Sequence, residues 1–230
     1  MRPKTTLFLM MSVDGKISTG DNDTMDVDKD FPEIVGIKEG LKQYYDLEQQ
    51  TDLYSLNTGR VFAKVGVNEK TEEPNKLPVS FVVIDSKPHL TEAGVSYLAK
   101  KTKNLIIATT NTLHPAFSVK DIFSNLHILT YEKEVDLPNL FKELNEKFNV
   151  DKLTIQSGGT LNATMVRLGL IDRVLLVVAP ALIGGKDTAT LVDGSSLHSK
   201  EELFNIKTLE LIQAKPLEHS YLLLEYKVNN

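Results

Sequence analysis

The most constraining stretch of this chain runs from Lys152 to Gly185. Leu153-Thr154-Ile155-Gln156 is short, apolar and partly β-branched, which suits a buried strand. Ser157-Gly158-Gly159 follows as a flexible turn. Leu161, Met165 and Leu168 then recur at helical spacing, with Thr160 as a candidate N-cap. A second apolar strand, Val174 to Pro180, leads into Gly184-Gly185. A strand that passes through Gly-Gly into a helix leaves backbone N–H groups and the positive helix end unpaired. With no Cβ in the way, a phosphate can approach that backbone closely. The glycines alone fit a plain tight βα turn equally well.

The other segments repeat the same alternation. Thr5 to Met11 is a continuous apolar run, as for a strand buried on both faces, and it ends at the Asp14-Gly15 turn. Ser18 to Asp30 reads as a polar loop, and Ile34 to Leu47 as one amphipathic helix. Strands are expected at 52–56, 79–85, 105–108 and 126–130, and helices after Thr91, at 115–123 and at Leu137 to Phe148, the last capped by Asp136. Lys64 to Pro78 is a long polar excursion. The runs Ile206 to Ile212 and Tyr221 to Val228 flank Pro216 as an antiparallel hairpin. The expected fold class is α/β, with a mostly parallel central sheet covered on both faces and a C-terminal antiparallel hairpin. With no internal repeat or linker, residues 1–230 are expected to form a single domain.

Composition narrows the function. The formal charge is −5, which argues against a nucleic-acid binder. The chain has no cysteine, which excludes disulfides, thiol nucleophiles and cysteine metal sites. The five histidines, His89, His114, His127, His198 and His219, show no metal-ligand spacing, so no metal is expected. Neither a nucleophile elbow nor a Walker-type loop occurs. The N-terminus lacks a signal-peptide core, and no run is long enough to span a bilayer, so a soluble cytoplasmic protein is expected.

Polar residues at strand ends are the site candidates, because open α/β sheets place ligands there. The Ser12-Val13-Asp14-Gly15-Lys16-Ile17 turn carries a cation suited to a phosphate or a sugar hydroxyl, although a solvated turn lysine fits as well. Asn57-Thr58-Gly59-Arg60 pairs a close-approach glycine with a donor fork. Val83-Ile84-Asp85-Ser86 and Thr109-Thr110-Asn111 close two further strands.

Together, Gly158-Gly159-Thr160-Leu161-Asn162, the Leu170-Ile171-Asp172 step, the Pro180 to Gly185 exit, Ser12 to Ile17 and Val83 to Ser86 resemble the pyrimidine reductase family of riboflavin biosynthesis. This family is the C-terminal reductase domain of a bifunctional deaminase-reductase. The resemblance implies a dihydrofolate-reductase-like three-layer α/β/α fold and an NADPH-dependent oxidoreductase. Its substrate would be a ribosylamino-pyrimidine 5′-phosphate, whose ribosyl group is reduced to ribityl. It further implies Lys16 and Asp14 in catalysis, and Ser12, Gln156 and Ser157 on the substrate. Gly158, Gly159, Thr160, Leu161, Thr58, Gly59, Arg60, Val83, Asp85 and Ser86 would hold the cofactor. Family members pair through the closing hairpin, so a homodimer is expected, with no membrane or nucleic-acid partner. Leu191-Val192-Asp193-Gly194 resembles an element of the one-domain archaeal and fungal forms, in keeping with the absence of a deaminase zinc signature.

Two departures stand out. Ser157 occupies the position of a family glutamate that contacts the pyrimidine, and a serine cannot replace a carboxylate as a charged acceptor. Val61-Phe62-Ala63-Lys64 stands where the family carries Thr and an Asp-Asp-Pro run. A reductase of the same fold acting on a pterin, folate or other carbonyl compound therefore stays open, as does a non-catalytic dinucleotide-binding protein.

Overall fold

The computed structural model describes all residues from Met1 to Asn230. In chain order the strands are β1 (Lys4–Ser12), β2 (Tyr54–Thr58), β3 (Ser80–Ile84), β4 (Leu105–Thr109), β5 (Leu126–Thr130), β6 (Lys152–Ile155), β7 (Arg173–Ala179), β8 (Thr208–Pro216) and β9 (Leu222–Asn229). The α-helices are α1 (Val27–Asp30), α2 (Lys42–Glu48), α3 (Gly59–Lys64), α4 (Glu92–Lys101), α5 (Ala116–Val119), α6 (Leu137–Phe148) and α7 (Gly159–Arg167). No helix is long and apolar enough to cross a membrane.

Two compact units result, each drawn from two stretches of chain. The first takes Met1–Pro3 and Asp52–Ser157, and the second Lys4–Thr51 and Gly158–Asn230.

In the first unit all strands run parallel in the order β5-β4-β3-β2-β6. β4 is buried along its whole length, which is why LIIAT contains no charge. Its neighbours pack Val83, Leu90, Val95, Leu98, Leu105, Ile107, Ala116 and Val119 into one apolar cluster. Burying each large side chain contributes about 1.5–3 kcal/mol. Thr91 caps α4 by accepting from Gly94 N–H, and Lys100 and Lys101 occupy its last turn, where positive charge complements the helix dipole. Asp136 caps α6 as expected, and α6 ends at Asn149 in the left-handed conformation (φ 54°).

In the second unit β1 pairs parallel with β7, and β7-β9-β8 continues antiparallel. Phe8 stacks on Tyr44 at 5.1 Å between centroids within a cluster that includes Met10, Phe31, Ile37, Leu41, Val177 and Tyr221. The closing hairpin is the expected one, shifted to 208–216 and 222–229, with a bulge between Leu211 and Gln213.

Three local expectations are corrected. Ile34 to Leu47 is not one helix: residues 35–41 are turns, and α2 starts only at Lys42. Gly36 lies at φ +91°, and a Cβ on Gly40 would sit 2.5 Å from the Tyr221 ring, so a tertiary contact shapes this segment. Tyr221 is itself buried, with its hydroxyl donating to Ile37 C=O at 2.8 Å, and burial pushes its pKa up to about 12. The Asn57 to Arg60 turn expected after the second strand leads directly into helix α3, because Thr58 caps it by accepting from Val61 N–H. The N-cap of α7 is Gly158 rather than Thr160, two residues earlier than expected.

Candidate functional site

In the second unit the turn after β1 is built around Gly15 (φ +78°), which lets Ser12 N–H donate to Lys16 C=O across it (2.9 Å). Ser12 is buried, and its Oγ donates to Asp14 Oδ1 (2.5 Å) while accepting from Lys16 N–H (2.9 Å). The Asp14 carboxylate is solvent-facing, yet it accepts from Ile183 N–H (3.1 Å) and Gly184 N–H (2.6 Å). The Ser12 hydroxyl first, then the Gly184 and Ile183 amides, lower its pKa to about 2.

Lys16 lies beside it with only 8% of its surface exposed. Its Nζ donates to the carbonyls of Gly185 (2.7 Å) and Thr188 (2.9 Å). An ammonium has three N–H groups, so one stays beyond these two acceptors. Gly184 and Gly185 both take positive φ (72° and 84°), which lets the loop offer N–H groups to Asp14 and carbonyls to Lys16 within a few residues. The turn that carries both residues predicted as catalytic thus fastens the loop after β7.

That loop continues onto the start of α7. Ile17 N–H donates to Ala189 C=O and Leu191 N–H to Gly15 C=O, both at 3.0 Å. Asp193 N–H then donates to Gly159 C=O (3.0 Å), and Asn162 Nδ2 to Leu191 C=O (2.8 Å). The Asp193 carboxylate accepts from the Thr190 N–H and hydroxyl.

The two glycines of the turn consequently differ. A Cβ on Gly159 would lie 2.2 Å from Thr190 O and 2.4 Å from Asp193 Oδ2, so the protein's own loop requires this glycine. A Cβ on Gly158 would meet nothing within 4 Å. Gly158 has no side-chain cap, so the first turn of α7 keeps its open backbone. Thr160 is exposed and Leu161 half-buried.

In the first unit the predicted cofactor residues gather at the C-terminal ends of β2 and β3. Thr58 is half-exposed and Arg60 exposed. Val83 is fully buried in the apolar cluster, and Ser86 Oγ accepts from Thr110 N–H at 3.2 Å. Asp85 is 2% exposed and accepts from His89 N–H, Leu90 N–H, the His89 ring and the His114 ring at 2.9–3.1 Å. Burial pushes its carboxyl up, but the hydrogen bonds from His114, Leu90 and His89 outweigh this and hold it below the ordinary carboxylate range. Gly59 packs on this carboxylate: a Cβ there would lie 2.1 Å from Asp85 Cγ.

Of the substrate candidates in this unit, Gln156 accepts from Ser55 Oγ (2.8 Å), which in turn accepts from Asn57 Nδ2 (3.0 Å). Ser157 is 2% exposed. Sequence reasoning missed His114, Thr188, Thr190, Asn162 and Asp193 as partners. Two had a signal: Asp193, from its place in Leu-Val-Asp-Gly, and Asn162, from its place in Gly-Gly-Thr-Leu-Asn.

The family model described as the RibD C-terminal domain matches residues 3–222. A 2,5-diamino-6-ribosylamino-4(3H)-pyrimidinone 5′-phosphate reductase of Methanothermobacter thermautotrophicus is 28% identical over 99% of both chains. Among solved structures, Acinetobacter baumannii RibD superimposes with a TM-score of 0.71 at 13% identity, covering all of this chain and 59% of that one. Enterococcus faecalis dihydrofolate reductase, solved with NADP(H), reaches 0.51 at 11% identity over 99% of this chain and 97% of its own. The structural likenesses establish a mostly parallel α/β fold of the dihydrofolate reductase type. The match over nearly all of the sequence establishes more: this chain belongs to the RibD C-terminal domain family.

Proposed function

We propose that the chain is an NADPH-dependent oxidoreductase that reduces the ribosyl group of a ribosylamino-pyrimidine 5′-phosphate to ribityl, in riboflavin biosynthesis. The observation that carries this reading is the end-to-end likeness to the archaeal pyrimidinone phosphate reductase. The two units would act together as one reductase domain, in keeping with one family model that takes in residues of both.

When bound, the reduced nicotinamide supplies the hydride. The chain's residues bind and orient. Gly158, Gly159, Thr160 and Leu161 would hold phosphate through the open first turn of α7. In the first unit, Thr58, Gly59, Arg60 and Ser86 would contact the cofactor, with Val83 and Asp85 supporting them from inside. Ser12 and Asp14 fix Lys16, whose remaining N–H would donate to the sugar or its phosphate. With the sugar opened as an imine, C1′ would be the carbon reduced, and water would supply the proton to the nitrogen. Gln156 and Ser157 would face the pyrimidine.

A homodimer is proposed through the closing hairpin. All nine residues of β8 are exposed, including Leu209, Leu211 and Ile212. An edge strand with an apolar surface is a site for pairing, and twofold pairing is the commonest assembly. Light scattering is expected to give a dimer at micromolar concentration, and a monomer would contradict it. A cytoplasmic setting suits a biosynthetic reductase without a membrane helix.

One observation favours a second reading, a reductase of another carbonyl compound: Ser157 brings a neutral and nearly buried side chain where the family resemblance calls for a carboxylate. Following NADPH oxidation with the pyrimidine ribotide, and separately with dihydrofolate, tests both. The account predicts turnover of the ribotide alone.

A further inference from the structure

The buried polar residue that the proposed chemistry leaves unused is His114, whose ring meets the Asp85 carboxylate. We infer that His114 is a positioning residue for dinucleotide binding, acting through Asp85 on the turn Thr58–Arg60. This inference rests on the proposed reading of that turn as part of the cofactor site.

Three chain segments meet at the Asp85 carboxylate. β2, β3 and β4 are adjacent and parallel, so their C-terminal ends lie along one edge of the sheet. The exit from β3 wraps the carboxylate with His89 N–H at 3.1 Å and Leu90 N–H at 3.0 Å. The exit from β4 delivers His114, whose Nε2 lies 3.1 Å from Asp85 Oδ2. The exit from β2 lays Gly59 directly on the carboxylate, with no room for a Cβ. Where the Asp85 side chain sits therefore fixes where the Gly59 backbone sits.

The state of His114 follows from its other nitrogen. Nδ1 lies 3.1 Å from Ala116 N, which can only donate, so Nδ1 is the acceptor and the ring proton resides on Nε2. His114 is 1% exposed, and its side chain and that of Asp85 are shut off from solvent. The Nε2–H donor is thus built to hold one carboxylate oxygen, and water has no access to take its place. Losing this donor leaves a buried anion short of one partner, and the carboxylate and the glycine resting on it must shift together.

Two substitutions separate the two ring nitrogens. His114→Asn places an amide near the Nδ1 position, so it keeps an acceptor for Ala116 N–H but loses the donor to Asp85. His114→Gln reaches the Nε2 position and keeps that donor. The experiment is calorimetric titration of the full-length chain with NADPH, beside a thermal melt and steady-state kinetics. The expected result is NADPH affinity weakened about tenfold in His114→Asn, the low end for a lost charge-assisted hydrogen bond. His114→Gln should stay within about threefold of wild type, and the loss in His114→Asn should fall on KM for NADPH rather than on kcat. Asn binding NADPH as tightly as wild type while melting lower would reduce His114 to a structural residue and overturn the inference alone. Gln as weak as Asn would overturn it too. A wild-type chain that does not bind NADPH would remove the inference together with the reading it rests on.

Discussion

Asp14 and Asp85 carry the same sequence signal in different units. Each follows a buried parallel strand, β1 or β3, and each was read from sequence as a group facing a ligand. In the structure both carboxylates are anchors for the loops around them, but in opposite surroundings. Asp14 stands in solvent and ties the 183–184 backbone to the turn that presents Lys16. Asp85 is sealed among two imidazoles and backbone amides. Both pKa values are lowered, the first by hydrogen bonds at the surface and the second by hydrogen bonds that overcome burial. A carboxylate at a strand end can thus serve a site by holding the backbone that forms it. The surroundings then decide how much stability depends on it.

The largest expected effect is on the buried side. Gly59→Ala forces a Cβ against Asp85 and should cost about 3 kcal/mol of stability, since neither the carboxylate nor the turn can yield freely. Gly158→Ala, where a Cβ meets open space, should stay within about 0.5 kcal/mol in the same urea titration. Equal losses would erase the contrast between the two turns.

Lys16→Ala comes next. It removes a charge-assisted contact, so kcat/KM should fall about 10- to 150-fold while NADPH affinity is nearly kept. Because Lys16 also holds the Gly185 and Thr188 carbonyls, limited proteolysis should cut between 184 and 189 faster than in wild type. Loss of NADPH affinity with substrate binding intact would reverse the assignment of the two sites.

These two loci show what was legible in the sequence. Strand positions could be read because unbroken apolar runs such as Leu105 to Ala108 have few other uses in a chain of this length. Helix α3 was hidden, because its cap, Thr58, also completes a strand. The turns at 35–41 were hidden because Tyr221, far along the chain, fills the space beside Gly40. At the sites, residue types could be read but partners could not. Lys16 meets carbonyls 169 and 172 residues away. His114 shows no metal-ligand spacing, and its partner, Asp85, lies 29 residues before it. No local pattern encodes such pairings.

Acid stability sharpens the comparison further. The folded pKa of Asp85 lies below its unfolded value, so its contribution is complete above about pH 4 and is lost as pH falls through the folded value. Asp85→Asn should cost about 2 kcal/mol at neutral pH, because the His114 and Leu90 donors lose their anion. It should also flatten the acid limb of the stability curve. Asp14→Asn shares the sign and the pH window, down to a folded value of about 2, but solvent screens it, so its change should be the smallest in the series. A steeper loss of the acid limb in Asp14→Asn than in Asp85→Asn would contradict the burial argument.

Turnover with analysis of the product decides whether the chain reduces a ribosyl group. Wild-type chain is mixed with NADPH and 2,5-diamino-6-ribosylamino-4(3H)-pyrimidinone 5′-phosphate, and both cofactor oxidation and the sugar product are followed. One NADPH is expected to be oxidised for each ribityl product formed. Tight NADPH binding with no oxidation in the presence of this substrate would contradict it.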